Sequence, residues 1–140
     1  MTATFTIVNP PELGAPRGFA HGVITPAAGR VLFVAGQTAT DAVEGPGHAT
    51  VAATRFTRQF EGALARVVSI VRAAGAQPAH VAHMTVYVTD MNAYRESRPS
   101  LGSVWRQYMG SHYPAMSLVA VTALVEESAM VEIDATAVLP

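Results

Sequence analysis

The feature that most restricts the fold is a stripe of apolar residues at helical spacing between residues 50 and 74. Thr50 is the predicted N-cap of this helix, and Gly75 is predicted to end it as a C-cap. A helix of this length with one apolar side has to be buried against another layer of secondary structure. The stripe consists of Phe56, Phe60, Leu64, Val67, Val68 and Val71.

Segments rich in β-branched and apolar residues predict strands on both sides of this helix. They cover residues 19–24, 30–35, 84–89, 116–125 and 130–138, with a further strand over residues 4–8. A second helix is predicted from Asp90 or Asn92 to Met109, with Pro99 interrupting its first part. The last two strands flank a short polar turn and are predicted to form a hairpin.

This order of elements predicts an α+β sandwich, in which one mixed sheet carries both helices on one face. The other face of the sheet also carries apolar residues, so another subunit is expected to cover it. The low charge and high apolar content of the chain, 14% and 50% respectively, favour the same interpretation.

Two absent residue types exclude several kinds of chemistry. The 140-residue chain has no cysteine, and all nine of its cationic side chains are arginine. Disulfides, thiolate nucleophiles, thiolate zinc sites and lysine Schiff bases are therefore excluded. A net charge of −1 argues against a nucleic-acid partner. Without a signal-peptide pattern or a long apolar run, we expect a soluble, cytoplasmic protein with no membrane partner.

The last strand holds the clearest candidates for chemistry. Glu132 and Asp134 alternate with apolar neighbours and so share one face of that strand. Two carboxylates at this spacing suit acid–base work or a metal site, but the pattern alone favours a solvated strand face. The five histidines lack metal-ligand spacing, and we expect no metal site.

Several motifs, taken in order, resemble the RidA/YjgF family of enamine/imine deaminases. They are AGQTATD at 35–41, TVYVTDM at 85–91, YPAMSLVAV at 113–121 and VEIDATAV at 131–138. The resemblance implies a chorismate-mutase-like sandwich that assembles as a homotrimeric barrel. It also implies that a small-molecule substrate binds in clefts between subunits, where water hydrolyses it without a cofactor.

The resemblance assigns roles to two residues that the sequence retains. Glu132 corresponds to the glutamate that positions the attacking water. Gly36 corresponds to the strand-end glycine whose backbone amide helps to hold the substrate.

Four other substrate-binding positions depart from the family pattern. Phe19 stands at an aromatic lid position that is usually tyrosine, and Ala35 replaces a serine or threonine. Met116 replaces the arginine that clamps the substrate carboxylate, and Leu118 replaces a cysteine or similar small residue. About four extra residues near 98–101 are also expected to disturb the second helix.

These departures leave two functions open. The first is a deaminase-type hydrolase with altered specificity, in which Arg17 or Arg98 supplies a displaced contact for an anion. The second is a non-catalytic trimer of the same fold that binds a small metabolite or a partner protein. The ribonuclease activity sometimes attached to this family is disfavoured by the charge balance and the absence of lysine.

Overall fold

The computed structural model describes residues 5–26, 29–40 and 51–140. These residues form β1 (Thr6–Val8), β2 (Gly22–Ile24), β3 (Val31–Gln37), α1 (Ala52–Ala73), β4 (Val81–Val88), α2 (Met91–Met109), β5 (Ala115–Ala120) and β6 (Val131–Val138). Strands β3, β6, β4 and β5 lie side by side in that order, and β1 pairs with β2 in a separate ribbon. Because β5 is parallel to β4 whereas the other pairs are antiparallel, the main sheet is mixed. The predicted α+β class is confirmed.

Helix α1 follows the sequence pattern closely. All six residues of the apolar stripe are buried, and Phe56, Leu64, Val67 and Val71 are completely inaccessible to solvent. The helix begins at Ala52, and the predicted cap at residue 50 lies outside the described residues. At the other end the C-cap is Ala74, and Gly75 follows with a φ of 82°, a conformation that favours glycine.

Both helices cover the same face of the sheet. The core combines the α1 stripe with alternate residues of the two central strands. On β4 these are Met84, Val86 and Val88, and on β6 they are Val131, Ile133, Ala135 and Ala137. The residues between them on each strand face the side that has no helix.

Helix α2 confirms one prediction and corrects another. Asp90 caps it, because its Oδ1 accepts a hydrogen bond of 2.9 Å from the Ala93 N–H. The predicted interruption at Pro99 is wrong, since the helix is continuous from residue 91 to residue 109. Proline removes one backbone hydrogen bond, but packing next to it holds the helix in place. Buried Ser97 donates a 2.9 Å hydrogen bond to the Ala53 carbonyl of α1.

The predicted hairpin between the last two strands is also wrong. Strand β5 lies at the sheet edge, parallel to β4, whereas β6 is inserted between β3 and β4. Buried Gln59 of α1 fixes the connection between β5 and β6. Its Nε2 donates to the Ser128 carbonyl at 3.0 Å, and its Oε1 accepts from the Met130 N–H at 2.7 Å. The chain is therefore tied back to α1 before it enters the middle of the sheet.

The face of the sheet without helices exposes large apolar side chains. Phe33 is 79% exposed, Val31 is 51% exposed and Val119 is 42% exposed. Burial of such residues between subunits, which the sequence led us to expect, remains a prediction. Within the described part of the chain, neither helix has the length and apolar character needed to cross a bilayer.

Candidate functional site

Glu132 lies directly against the backbone of Gly36. Its half-buried side chain projects from β6 on the face without helices and reaches the end of β3. A Cβ atom at Gly36 would lie 2.7 Å from Cδ of Glu132 and 2.8 Å from its Oε1. Both distances are shorter than a normal contact, so a side chain at this position would displace the Glu132 carboxylate.

A bulge in β3 creates this contact. Val34 is paired with Ala135 and Gln37 with Ile133, so two residues of β3 face a single residue of β6. The two residues are Ala35 and Gly36, and both are exposed. Bulges turn the backbone away from a regular ladder and are frequent beside active sites. Here the bulge exposes the strand-end backbone next to a carboxylate.

The second carboxylate of β6 has a different partner. Asp134 accepts a 3.0 Å hydrogen bond from the Tyr87 hydroxyl, and this bond is the main reason that the pKa of Tyr87 lies above its ordinary value. Tyr87 stands directly opposite Glu132 in the β4–β6 register. The sequence grouped the two carboxylates but missed Tyr87, although its alternation in β4 places it on their face. Asp134 is therefore engaged with a tyrosine, whereas Glu132 lies over a glycine.

Met116 and Leu118 line a cavity on the other side of the sheet. In the β4–β5 register Met116 is opposite Met84, and Leu118 is opposite Val86, so both face the helices. The cavity has a volume of about 210 Å³ and lies between β5, α2 and the segment that precedes β2. Its lining also includes Arg17, Tyr94, Trp105 and Tyr113.

The residues that the sequence assigned to one pocket therefore occupy different places within one chain. Glu132, Gly36 and Ala35 share the face without helices, whereas Met116 and Leu118 lie on the helix face. The reason is the register of β5, because side chains alternate between the two faces and the pairing with β4 decides which face each one takes.

The segment before β2 brings Arg17 to the cavity. The Ala20 N–H donates a 3.0 Å hydrogen bond to the Pro114 carbonyl, which fixes this segment beside the start of β5. Arg17 and Gly18 then line the cavity, but Phe19 does not. The ring of Phe19 is instead edge-on to His21, with 5.1 Å between the ring centroids.

Arg98, the second arginine that the sequence suggested as an anion contact, lies outside the cavity lining. The guanidinium of Arg98 lies 5.8 Å from the centroid of the Tyr94 ring and does not line the cavity. Of the two candidate arginines, Arg17 is the one beside Met116. In the described ranges, no three histidine, aspartate or glutamate side chains are placed to hold a metal ion.

The fold and the sequence together define the class of protein. Residues 11–139 match the family model described as Endoribonuclease L-PSP. A RutC family protein from Pyrococcus horikoshii is 31% identical over 110 residues, which are 79% of this chain and 80% of that protein. The chain belongs to this family, which includes the RidA/YjgF proteins that its motifs resemble.

Solved structures agree with this assignment. YyfB from Yersinia pestis, of the Rid protein family, superposes with a TM-score of 0.73 at 28% identity and covers 96% of this chain and 98% of its own. TdcF from E. coli, crystallised with bound serine, superposes with a TM-score of 0.61 at 26% identity. The match covers 91% of this chain and 92% of TdcF. The expected RidA/YjgF fold is thereby confirmed.

Proposed function

We propose that this protein hydrolyses a reactive imine or enamine and releases ammonia and a carbonyl product. An enamine first becomes the imine by gaining a proton at its β-carbon and losing one from nitrogen. The water oxygen then adds to the imine carbon, and the C–N bond of the resulting carbinolamine breaks. In this scheme Glu132 takes a proton from the attacking water and delivers it to the imine nitrogen. It then takes the hydroxyl proton of the carbinolamine and passes a proton to the nitrogen, which leaves as ammonia as the carbonyl forms. The backbone at Gly36 holds the substrate beside it.

The contact between Glu132 and Gly36 is the observation that supports this proposal most directly. A carboxylate that orients water has to stand beside an open position where a substrate can approach. The glycine and the bulge leave such a position, and a side chain there would displace the carboxylate. Asp134 is a weaker candidate because Tyr87 occupies its Oδ2.

The same proposal includes a homotrimer in which neighbouring subunits bring the two halves of the site together. Glu132 and Met116 lie on opposite faces of one sheet, so a shared cleft requires more than one chain. The exposed Phe33 supports burial between copies, because a side chain of this size is unfavourable in water. Light scattering at micromolar concentration should give about three times the chain mass of 14.7 kDa. A mass of one chain would refute the trimer.

Replacing Glu132 by glutamine tests the chemical role. Imino acids generated in the assay by an amino-acid oxidase serve as substrates, and ammonia release is followed. Glu132→Gln should lower turnover by about a hundredfold or more, because a positioned acid–base group contributes that much. Asp134→Asn is the matched control, since it removes a neighbouring carboxylate from the same strand face. Full activity of the Glu132 variant would make the assignment wrong.

The alternative function is a non-catalytic trimer that binds a small metabolite or a partner protein. The loss of the clamping arginine at Met116 favours it, because removing one partner of a buried charge pair costs about 2–5 kcal/mol. Saturable acceleration of ammonia release by the wild-type protein would exclude this alternative. The net charge of −1 gives no support to the ribonuclease activity in the family description.

A further inference from the structure

The cavity beside Met116 has a composition that favours one class of ligand. Its walls include the rings of Phe60, Tyr94, Trp105 and Tyr113. Among the described residues that line it, Arg17 alone carries a formal charge. An aromatic cavity with one cation suits a flat ring that carries an acidic group, because the rings stack and the guanidinium pairs with the acid.

The aromatic walls are already held in position. The rings of Trp105 and Tyr113 are parallel within 1°, with 5.6 Å between their centroids. The indole N–H of Trp105 donates a 3.0 Å hydrogen bond to the His112 carbonyl. The Tyr94 ring packs edge-on against Phe56 at a centroid distance of 5.9 Å. A ligand ring would therefore meet walls that need little ordering on binding.

The volume of the cavity agrees with a single substituted ring. It measures about 210 Å³. An apolar cavity of about 150 Å³ inside a protein is known to be large enough for benzene. A phenyl group with a short acidic side chain fits this space, whereas a small aliphatic acid would leave much of it unfilled.

Gly102 gives a separate indication that the cavity accommodates a ligand. It stands in the interior of α2, where glycine is unfavourable, and it lines the cavity. The backbone does not require glycine there, since its φ is not in the positive range. A Cβ would meet only the guanidinium of Arg106, at 3.4 Å and 3.9 Å, which is ordinary contact. A glycine at position 102 is best explained by the space that it keeps open beside the aromatic rings of the cavity.

We propose that this cavity binds the aryl group of a phenyl-bearing imino or enamino acid, whose carboxylate pairs with Arg17. Arg17 thereby supplies from the N-terminal side the anion contact that Met116 cannot make. The imine part of this inference rests on the proposed function. The recognition of a ring with an acid group is argued from the cavity alone, and it can be tested without turnover.

Binding can be measured directly, because Trp105 is the single tryptophan of the chain and lies in the cavity wall. The probe is 3-phenylpropionate, titrated against the fluorescence of Trp105. Propionate lacks the ring, and 3-phenylpropanol lacks the acid. Saturable quenching by 3-phenylpropionate is expected, with propionate binding about ten- to a hundredfold more weakly, because it buries no ring. Equal effects of the two acids, or no saturable quenching by either, would overturn the proposal.

Two variants separate the contributions of the ring and the charge. Gly102→Leu should fill the cavity and abolish binding without loss of thermal stability, because leucine is the better helix former. Arg17→Gln should weaken 3-phenylpropionate binding about three- to tenfold and leave 3-phenylpropanol unaffected. Arg98→Gln is the matched control, since it removes the same charge from a residue that lies near the Tyr94 ring but does not line the cavity, and it should change neither ligand. Equal binding of the acid by the Arg17 variant and the wild type would remove Arg17 from the site.

A turnover experiment distinguishes this inference from the proposed function. The imines of phenylalanine and alanine are generated by the oxidase, and their hydrolysis rates are compared. Preference for the phenylalanine imine, lost in Gly102→Leu, supports both proposals. Glu132-dependent turnover of the alanine imine alone, without 3-phenylpropionate binding, would refute the aryl cavity and leave the hydrolase intact. Binding without any turnover would refute the hydrolase and leave the aryl cavity intact.

Discussion

Adding one methyl group at Gly36 should separate activity from stability. In Gly36→Ala the new Cβ would lie 2.7 Å from Cδ of Glu132. Carbon atoms in contact are about 3.5–4.0 Å apart, so the carboxylate has to move by about 1 Å. Because the obstructed atoms are at the far end of a flexible side chain, rotation of Glu132 can relieve the clash without moving either strand.

The two consequences differ in size. A side chain turned away from its preferred rotamer costs about 0.5–1.5 kcal/mol, so the free energy of unfolding should fall by no more than that. A catalytic group misplaced by about 1 Å can lose about a hundredfold in rate. We therefore expect Gly36→Ala to remain folded and to lose about a hundredfold in imine hydrolysis. Urea unfolding and ammonia release measure the two quantities.

Gly29→Ala is the matched control, because it crowds β6 at a place remote from Glu132. Its Cβ would clash with the Val138 side chain and lie 3.0 Å from the Leu139 carbonyl oxygen. Overpacking of this kind costs about 1–3 kcal/mol, and turnover by the folded protein should be unchanged. If Gly36→Ala kept full turnover, or if Gly29→Ala lost activity to the same extent, Glu132 would not act from the position that Gly36 provides.

Three further predictions follow from other parts of the molecule. Gln59→Met should lower the free energy of unfolding by about 1–3 kcal/mol in urea denaturation, because it leaves a buried N–H before β6 without its acceptor; an unchanged midpoint would contradict this. Asp134→Asn should move the tyrosinate absorbance transition of Tyr87 down toward its ordinary pKa of about 10. Because the pKa of Tyr87 is raised in the folded protein, its hydrogen bond to Asp134 stabilises the fold at pH values below the ordinary pKa. This contribution is lost as the pH rises through the raised pKa. A transition that stays in place would remove Asp134 as its cause. Met116→Arg should raise hydrolysis of the alanine imine relative to the phenylalanine imine, since it adds the family's carboxylate anchor and reduces the space for a ring; an unaltered rate ratio would argue against both effects.

Patterns of residues close together in the sequence predicted much of the fold. The apolar stripe of α1, the Asp90 cap of α2 and the alternation in β6 depend on residues close together in sequence. Each could be read from periodicity or from capping chemistry alone. The same local alternation placed Glu132 and Asp134 on one strand face, and the motif resemblance identified the family.

Tertiary structure decided what the local patterns left open. Alternation identifies a strand but not its neighbour, so the parallel pairing of β5 with β4 could not be foreseen. That pairing turns Met116 toward the helices, away from Glu132, and toward the cavity that Arg17 reaches from a distant segment. The sequence alone determined which residues are present and which faces they share. Only the packing of distant segments determined which of them meet, because such contacts depend on strand order and register.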